Sequence, residues 1–304
     1  MHLPRYTGLR GIASSWVLLS HVILFAGVTL TAGLYLVMRS YIAVEIFFGL
    51  SVFLLFRSLD RNPDKQRYFL RRIARIWPLY FGVCGLSFLL FDRDVLTLTE
   101  NVTFIGVYLP GALVGPYWIL WSLQIEEVMY LTFPWIHSLS SDRQLLVASI
   151  FVGVSVGTAS LWALPSAWKN PLVDYVVVNV HQLPLVWLGA YGAGIMAYHG
   201  ASLNIWLAGA LAGISSFPEV PFVLTVIVSL PLVVALLSTP PTWAGKRAAT
   251  VVGENSYSIY ATQVLWFEAF GWIGALGTLL TSPLIEALTN TRRPVSSWWR
   301  PWRF

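Results

Sequence analysis

Arg10 and His21 are the first residues of this chain able to do chemistry together, in the stretch Arg10-Gly-Ile-Ala-Ser-Ser-Trp-Val-Leu-Leu-Ser-His21. On a helix, eleven steps of roughly 100° and 1.5 Å make about three full turns, which puts both side chains on one face about 16 Å apart. One end carries a fixed cation and the other a base. An ionisable residue inside an apolar helix is costly and usually faces a cavity or a partner. A neutral imidazole in such a place has the form that a general base needs. The plain alternative is an arginine anchoring the membrane edge and a histidine hydrogen-bonded within the helix bundle.

Two more groups carry charge into apolar surroundings. Arg71, Arg72 and Arg75 stand at i, i+1 and i+4, which turns Arg71 and Arg75, and nearly Arg72, toward one side of a helix start. Guanidinium forks match phosphate oxygens in pairs, so a polyanionic ligand is one use of them and lipid headgroups are the other. In Trp121-Ser-Leu-Gln-Ile-Glu-Glu-Val-Met-Tyr130, the residues Ser122, Glu126 and Tyr130 recur every four positions and share a face. Carboxylates at Glu126 and Glu127 inside an apolar segment are expensive unless functional or paired with an arginine of another helix.

The elements that must position these groups follow from composition. The 304 residues are 57% hydrophobic, 15% aromatic and only 11% charged, with a mean hydropathy of +0.68. A soluble domain carries about 25% charged residues. This chain therefore reads as an all-α, polytopic integral membrane bundle of about nine or ten transmembrane helices. Candidate spans run roughly over 11–31, 41–57, 74–91, 117–137, 145–163, 181–198, 203–217, 221–238 and 256–270, with a tenth at about 272–288. Residues 1–304 read as a single domain that ends in a basic, Trp-rich interfacial tail over 284–304.

The densest basic stretch, Arg57 to Arg75, marks a cytoplasmic loop by the positive-inside bias, and parity over two spans puts the N-terminus and Arg10 on that side. Ten spans would return Arg292, Arg293, Arg300 and Arg303 to it. A bacterial inner membrane is the expected location, with no cleaved leader, since the first apolar run lacks a small-residue cleavage site. The net charge of +5 lies beside apolar segments and suits anionic lipid rather than nucleic acid. The lone Cys84 reads as a small buried residue, and no metal-ligand spacing is present. Gly189, Gly192 and Gly194, and likewise Gly209 and Gly213, read as small-residue helix contacts. Asn101-Val-Thr103 has the form of a glycosylation sequon, a pattern common by chance. His181 and Asp174 could contact an acceptor near an outer span end, while His2, His137 and His199 read as solvated.

The motifs resemble those of the acyltransferase-3 family of integral membrane acyltransferases. Thr7-Gly-Leu-Arg10-Gly-Ile-Ala with His21 is similar to its opening Arg and, ten residues between, His. Val44-Glu45-Ile-Phe-Phe-Gly-Leu-Ser51, Phe69-Leu-Arg71-Arg72-Ile-Ala-Arg75-Ile-Trp-Pro78-Leu-Tyr80, Trp121-Ser122 through Glu126 to Tyr130, and Ser256-Tyr257-Ser-Ile-Tyr260 follow in order across nearly the whole chain.

The resemblance implies a membrane enzyme that moves an acyl group, often acetyl, from coenzyme A to a hydroxyl of a sugar, polysaccharide or lipid-linked glycan, with no metal. The family's essential histidine falls on His21, its arginines on Arg10, Arg72 and Arg75, and its acidic residue on Glu126. The expected roles are His21 as base, Arg10 and Glu126 assisting, and Arg71, Arg72 and Arg75 binding acyl-CoA. Two departures stand out: Val52 replaces a common Gly, and Gln263 replaces a common His. A transporter or flippase of a small anion or acylated product is the alternative, and a catalytically silent scaffold a third.

Overall fold

A computed structural model describes residues 3–28, 34, 37–91, 93–109, 115–163, 184–215 and 222–289. Its twelve α-helices are α1 Pro4–Phe25, α2 Tyr41–Arg61, α3 Lys65–Leu90, the short α4 Val95–Val102, α5 Trp121–His137, α6 Ser141–Ala163, α7 Pro184–Tyr198, α8 Ile205–Ser215, α9 Phe222–Ser238, the short α10 Arg247–Glu254, α11 Ser256–Phe270 and α12 Gly274–Thr289. No strand occurs among the described residues. Each of the ten apolar stretches expected to span is helical over most of its described residues.

Among the described residues, five stretches are long and apolar enough to cross a membrane unaided: Pro4–Phe25, Tyr41–Arg61, Lys65–Leu90, Ser141–Ser160 and Ser256–Leu288. The last is folded in two. Gly271 breaks it with a positive φ of 57°, a conformation that costs glycine nothing. Ser258 near the start of α11 then donates to Glu286 near the end of α12, and the Trp266 indole donates to Thr281 at 3.1 Å. Helices shorter than a membrane is thick persist where neighbours shield them, as on α7, whose Val186, Trp187, Ala190, Tyr191, Ala193 and Ile195 are all buried.

One proline in this bundle frees a backbone carbonyl that a tyrosine satisfies. Pro134 lies within α5 and has no N–H to offer the carbonyl of Tyr130, four residues back; the Tyr68 hydroxyl of α3 donates to it instead at 3.1 Å. At the C-terminal end of α9, where the last carbonyls have no partner within the helix, the Leu237 carbonyl accepts from the Tyr6 hydroxyl of α1 at 3.0 Å. Both links are buried, and both fix a helix that carries arginines of interest.

Contacts of the same kind show which helix ends lie together. Tyr6 meets the end of α9, while the ring of His137 and the hydroxyl of Tyr198, at the ends of α5 and α7, both bond Asp60 at the end of α2. The N-terminus, the basic 57–75 stretch and these ends thus share one side of the bundle.

Between α3 and α5 the chain does not hang free. Asp94 caps α4 by accepting from the Leu96 and Thr97 N–H groups, and the Thr97 hydroxyl and backbone bonds hold its carboxyl below the usual carboxylate range. Gln124 of α5 donates to the Asn101 side chain at 2.7 Å and accepts from the Val107 N–H at 2.7 Å. Asn101 is fully buried, so its amide is closed to glycosylation.

Close helix approach rests on glycine at α1 against α10 and at α7 against its neighbours. A Cβ at Gly253 would fall 1.8 Å from the Thr7 carbonyl oxygen, and one at Gly194 would fall 2.3 Å from that of Gly49 and 2.5 Å from a Val52 methyl. Val52 thus packs against α7 rather than intruding on a cavity. Gly189 and Gly192 are likewise tight, whereas among the described residues nothing stands within 4 Å of a Cβ placed at Gly209 or Gly213, contrary to the expectation from sequence. Gly194→Ala is expected to destabilise by about 1–3 kcal/mol through overpacking, while Gly209→Ala should not destabilise at all. Equal melting temperatures for the two variants in detergent would refute the close-approach account.

Candidate active site

α1, α2, α3, α5 and α11 enclose a cavity of about 170 Å³. Its polar lining comprises Arg10, Ser51, Arg72, Arg75, Ser122, Glu126, Tyr130, Ser256, Tyr257 and Tyr260, set among apolar residues of α2. Arg72 and Arg75, at i and i+3, are the α3 arginines that reach it; Arg71 is not among the lining residues. Tyr257 steadies this wall by donating to the Ile76 carbonyl at 2.8 Å.

Three cations converge here. Arg75 lies within electrostatic reach of Arg10, Arg72 and the Glu286 carboxylate. The Arg72 guanidinium sits 5.3 Å from the centre of the Tyr130 ring and 5.9 Å from that of Tyr68, an arrangement that stabilises its charge in addition to the attraction of Glu127. Like charges so close in an apolar bundle repel, and an anion among them would offset that cost. A second cavity, of about 290 Å³, adjoins the first through the shared Leu54 and carries Arg57 and Arg61.

Glu126 faces this cavity but accepts hydrogen bonds from the Ser51 and Tyr130 hydroxyls. It therefore ties α2 to α5, and its bonded partners do not include His21. Its neighbour Glu127 accepts from the Trp77 indole at 3.2 Å and is outside the cavity lining.

His21 stands apart from the cavity lining. Its Nδ1 is 3.1 Å from Oε1 of Gln263, and its ring meets the edges of Trp118 at 5.1 Å and Phe267 at 6.2 Å. Tyr260 links the two places. Its hydroxyl lies 2.6 Å from that of Ser122 and donates to the Ile119 carbonyl at 3.1 Å, while its own carbonyl accepts from Gln263 at 3.1 Å.

Comparison with known proteins bears on this arrangement. A family profile described as an acyltransferase domain, acyltransferase-3, matches residues 4–291. The chain belongs to the acyltransferase-3 family. It is also 29% identical over 300 residues to a protein of Acidianus two-tailed virus named "Putative acetyltransferase ORF330", an alignment covering 90% of this chain and 86% of the relative. No solved structure matches. Family membership makes this an acyltransferase by class and, with the apolar helices, an integral membrane protein.

Four of the six residues singled out from sequence, Arg10, Arg72, Arg75 and Glu126, thus meet around one cavity, with His21 farther along the helix that carries Arg10. Reasoning from sequence assigned no role to Ser51, Tyr260, Trp118 or Gln263, because spacing reports one helix at a time and these act across helices. His137 and His199 are not simply solvated: His137 bonds Asp60 at 2.9 Å and His199 bonds Gln144 at 2.8 Å. His2, Asp174, His181 and the arginines beyond 289 lie outside the described residues. Among the described residues no group of three or more His, Cys, Asp or Glu stands together as a metal site.

Tyr130→Phe removes one of the two hydroxyls that donate to Glu126 and is expected to cost about 1.5–3 kcal/mol, the range for hydrogen bonds to charged groups. Thermal unfolding in detergent reads this loss, and an unchanged midpoint would mean that the carboxylate does not need the tyrosine.

Proposed function

We propose that this chain is an O-acyltransferase that takes an acyl group from acyl-CoA and places it on a hydroxyl of a sugar, polysaccharide or lipid-linked glycan. The observation that carries this reading is the convergence of Arg10, Arg72 and Arg75 on one cavity, with His21 about three turns along α1 from Arg10. Coenzyme A is matched in kind, with phosphates at one end and a thioester at the other end of a flexible arm. The name of the viral relative favours acetyl as the group moved.

Arg72 and Arg75 would hold phosphate oxygens, with Arg10 beside them. His21 Nε2 removes the proton of the acceptor hydroxyl as its oxygen attacks the thioester carbonyl carbon. The carbon–sulfur bond then breaks, and the imidazolium returns the proton to the departing sulfur, leaving an ester and free coenzyme A. Glu126 keeps the α2–α5 wall in register through Ser51 and Tyr130. The shared side of the N-terminus and the basic 57–75 stretch is the cytoplasmic side of a plasma membrane on this reading.

The test uses inside-out vesicles with wild type, His21→Ala or Arg72→Ala and labelled acetyl-CoA, following label into membrane glycans and counting coenzyme A released. His21→Ala should fall by at least a hundredfold, in line with loss of a general base. Arg72→Ala should raise the KM for acetyl-CoA roughly tenfold, as loss of one charge-assisted phosphate contact implies. Full transfer by His21→Ala would remove the base from this scheme. No turnover by wild type, even with longer acyl donors, would favour the transporter reading.

A further inference from the structure

Gln263 is 1% exposed and its amide is held at both ends, by His21 and by the backbone of its own helix. A carbonyl oxygen only accepts, so the contact with the Tyr260 carbonyl must be made by the amide N–H of Gln263. That choice turns the amide oxygen toward His21 Nδ1. An amide oxygen cannot donate, so a hydrogen bond between them requires the proton on Nδ1. A neutral imidazole carries one N–H, and the lone pair is then on Nε2.

We propose that Gln263 is the positioning residue of His21, holding by its amide oxygen the tautomer in which Nε2 is free to act as base. This rests on the reading of His21 as base. Trp118 and Phe267 pack edge-on against the imidazole and resist its rotation, which a single hydrogen bond would not prevent alone. Gln263 brings no charge, so it selects the tautomer without pairing with an imidazolium as a carboxylate would. Since the Tyr260 side chain lines the cavity while its carbonyl fixes Gln263, the orientation of the base is tied to the cavity wall.

The first measurement needs no acceptor. Protein labelled with 15N-histidine is placed in lipid bilayers, and the His21 signals are identified as those lost in His21→Ala. The expected spectrum shows Nδ1 protonated and Nε2 unprotonated; a proton on Nε2 in the wild type would overturn the role of Gln263. The second measurement compares Gln263→Met, which matches the side chain in length without its polar ends, with Gln263→Glu, which keeps an acceptor and loses the donor to Tyr260. Gln263→Met should lower kcat roughly ten- to a hundredfold and leave the KM for acetyl-CoA within about twofold, since the phosphate contacts lie elsewhere. Gln263→Glu should recover most of the loss. If it is as impaired as Gln263→Met, the Tyr260 contact is what matters and the proposal fails. In a His21→Ala background, Gln263→Met should add no further loss, and an additive loss would also overturn it. Full activity of His21→Ala would remove the base reading itself, an outcome distinct from a wild-type spectrum with the wrong nitrogen protonated.

Discussion

Holding three guanidinium groups at one cavity of an apolar bundle is the constraint on which the rest of this structure depends. Arg10 comes from α1 and Arg72 and Arg75 from α3, so two helices must be held around one cavity while their charges repel. The close approach of α1 is secured by glycines against α10 and by the Tyr6 bond to α9. α3 is fastened by Tyr68 to α5 and by Tyr257 to α11. Each of the three tyrosine fastenings uses a hydroxyl on a backbone carbonyl, a link that needs no second charge.

The cavity and the histidine form two places rather than one. Charge is concentrated around the first, and aromatic edges of Trp118 and Phe267 surround the second. Tyr260 belongs to both, through its side chain on one hand and its carbonyl on the other. A ligand with a charged head and a reactive far end suits such a division, since neither end must compromise with the surroundings the other needs.

Much of this was legible in the residues, and the gaps have a common cause. Apolar runs located the helices, because a chain with 11% charged residues has few ways to break a span. Even the doubtful tenth is a helix, short because α11 and α12 fold on each other. Periodicity placed Arg10 and His21 on one helix, but it could not say that Glu126 would face Ser51 and Tyr130, or that His21 would meet Gln263. It favoured Arg71 over Arg72 by angle alone, and the partner helices decided otherwise. Gly194 and Gly209 look alike in sequence, yet one touches a neighbouring backbone and the other touches nothing among the described residues, since apolar residues outside a membrane helix give no sign of whether they face protein or lipid.

The couple formed by Pro134 with Tyr68 carries an asymmetry that belongs to history rather than to mechanics. A tyrosine without its proline is merely a hydroxyl sharing a carbonyl that is already satisfied. A proline without its tyrosine strands a carbonyl in the bundle interior, at a cost of about 1–3 kcal/mol. A lineage can therefore gain the tyrosine first and the proline afterwards without passing through a weakened ancestor, and it can shed them only in the reverse order. Once both are present, the proline acts as a ratchet that keeps its tyrosine in place.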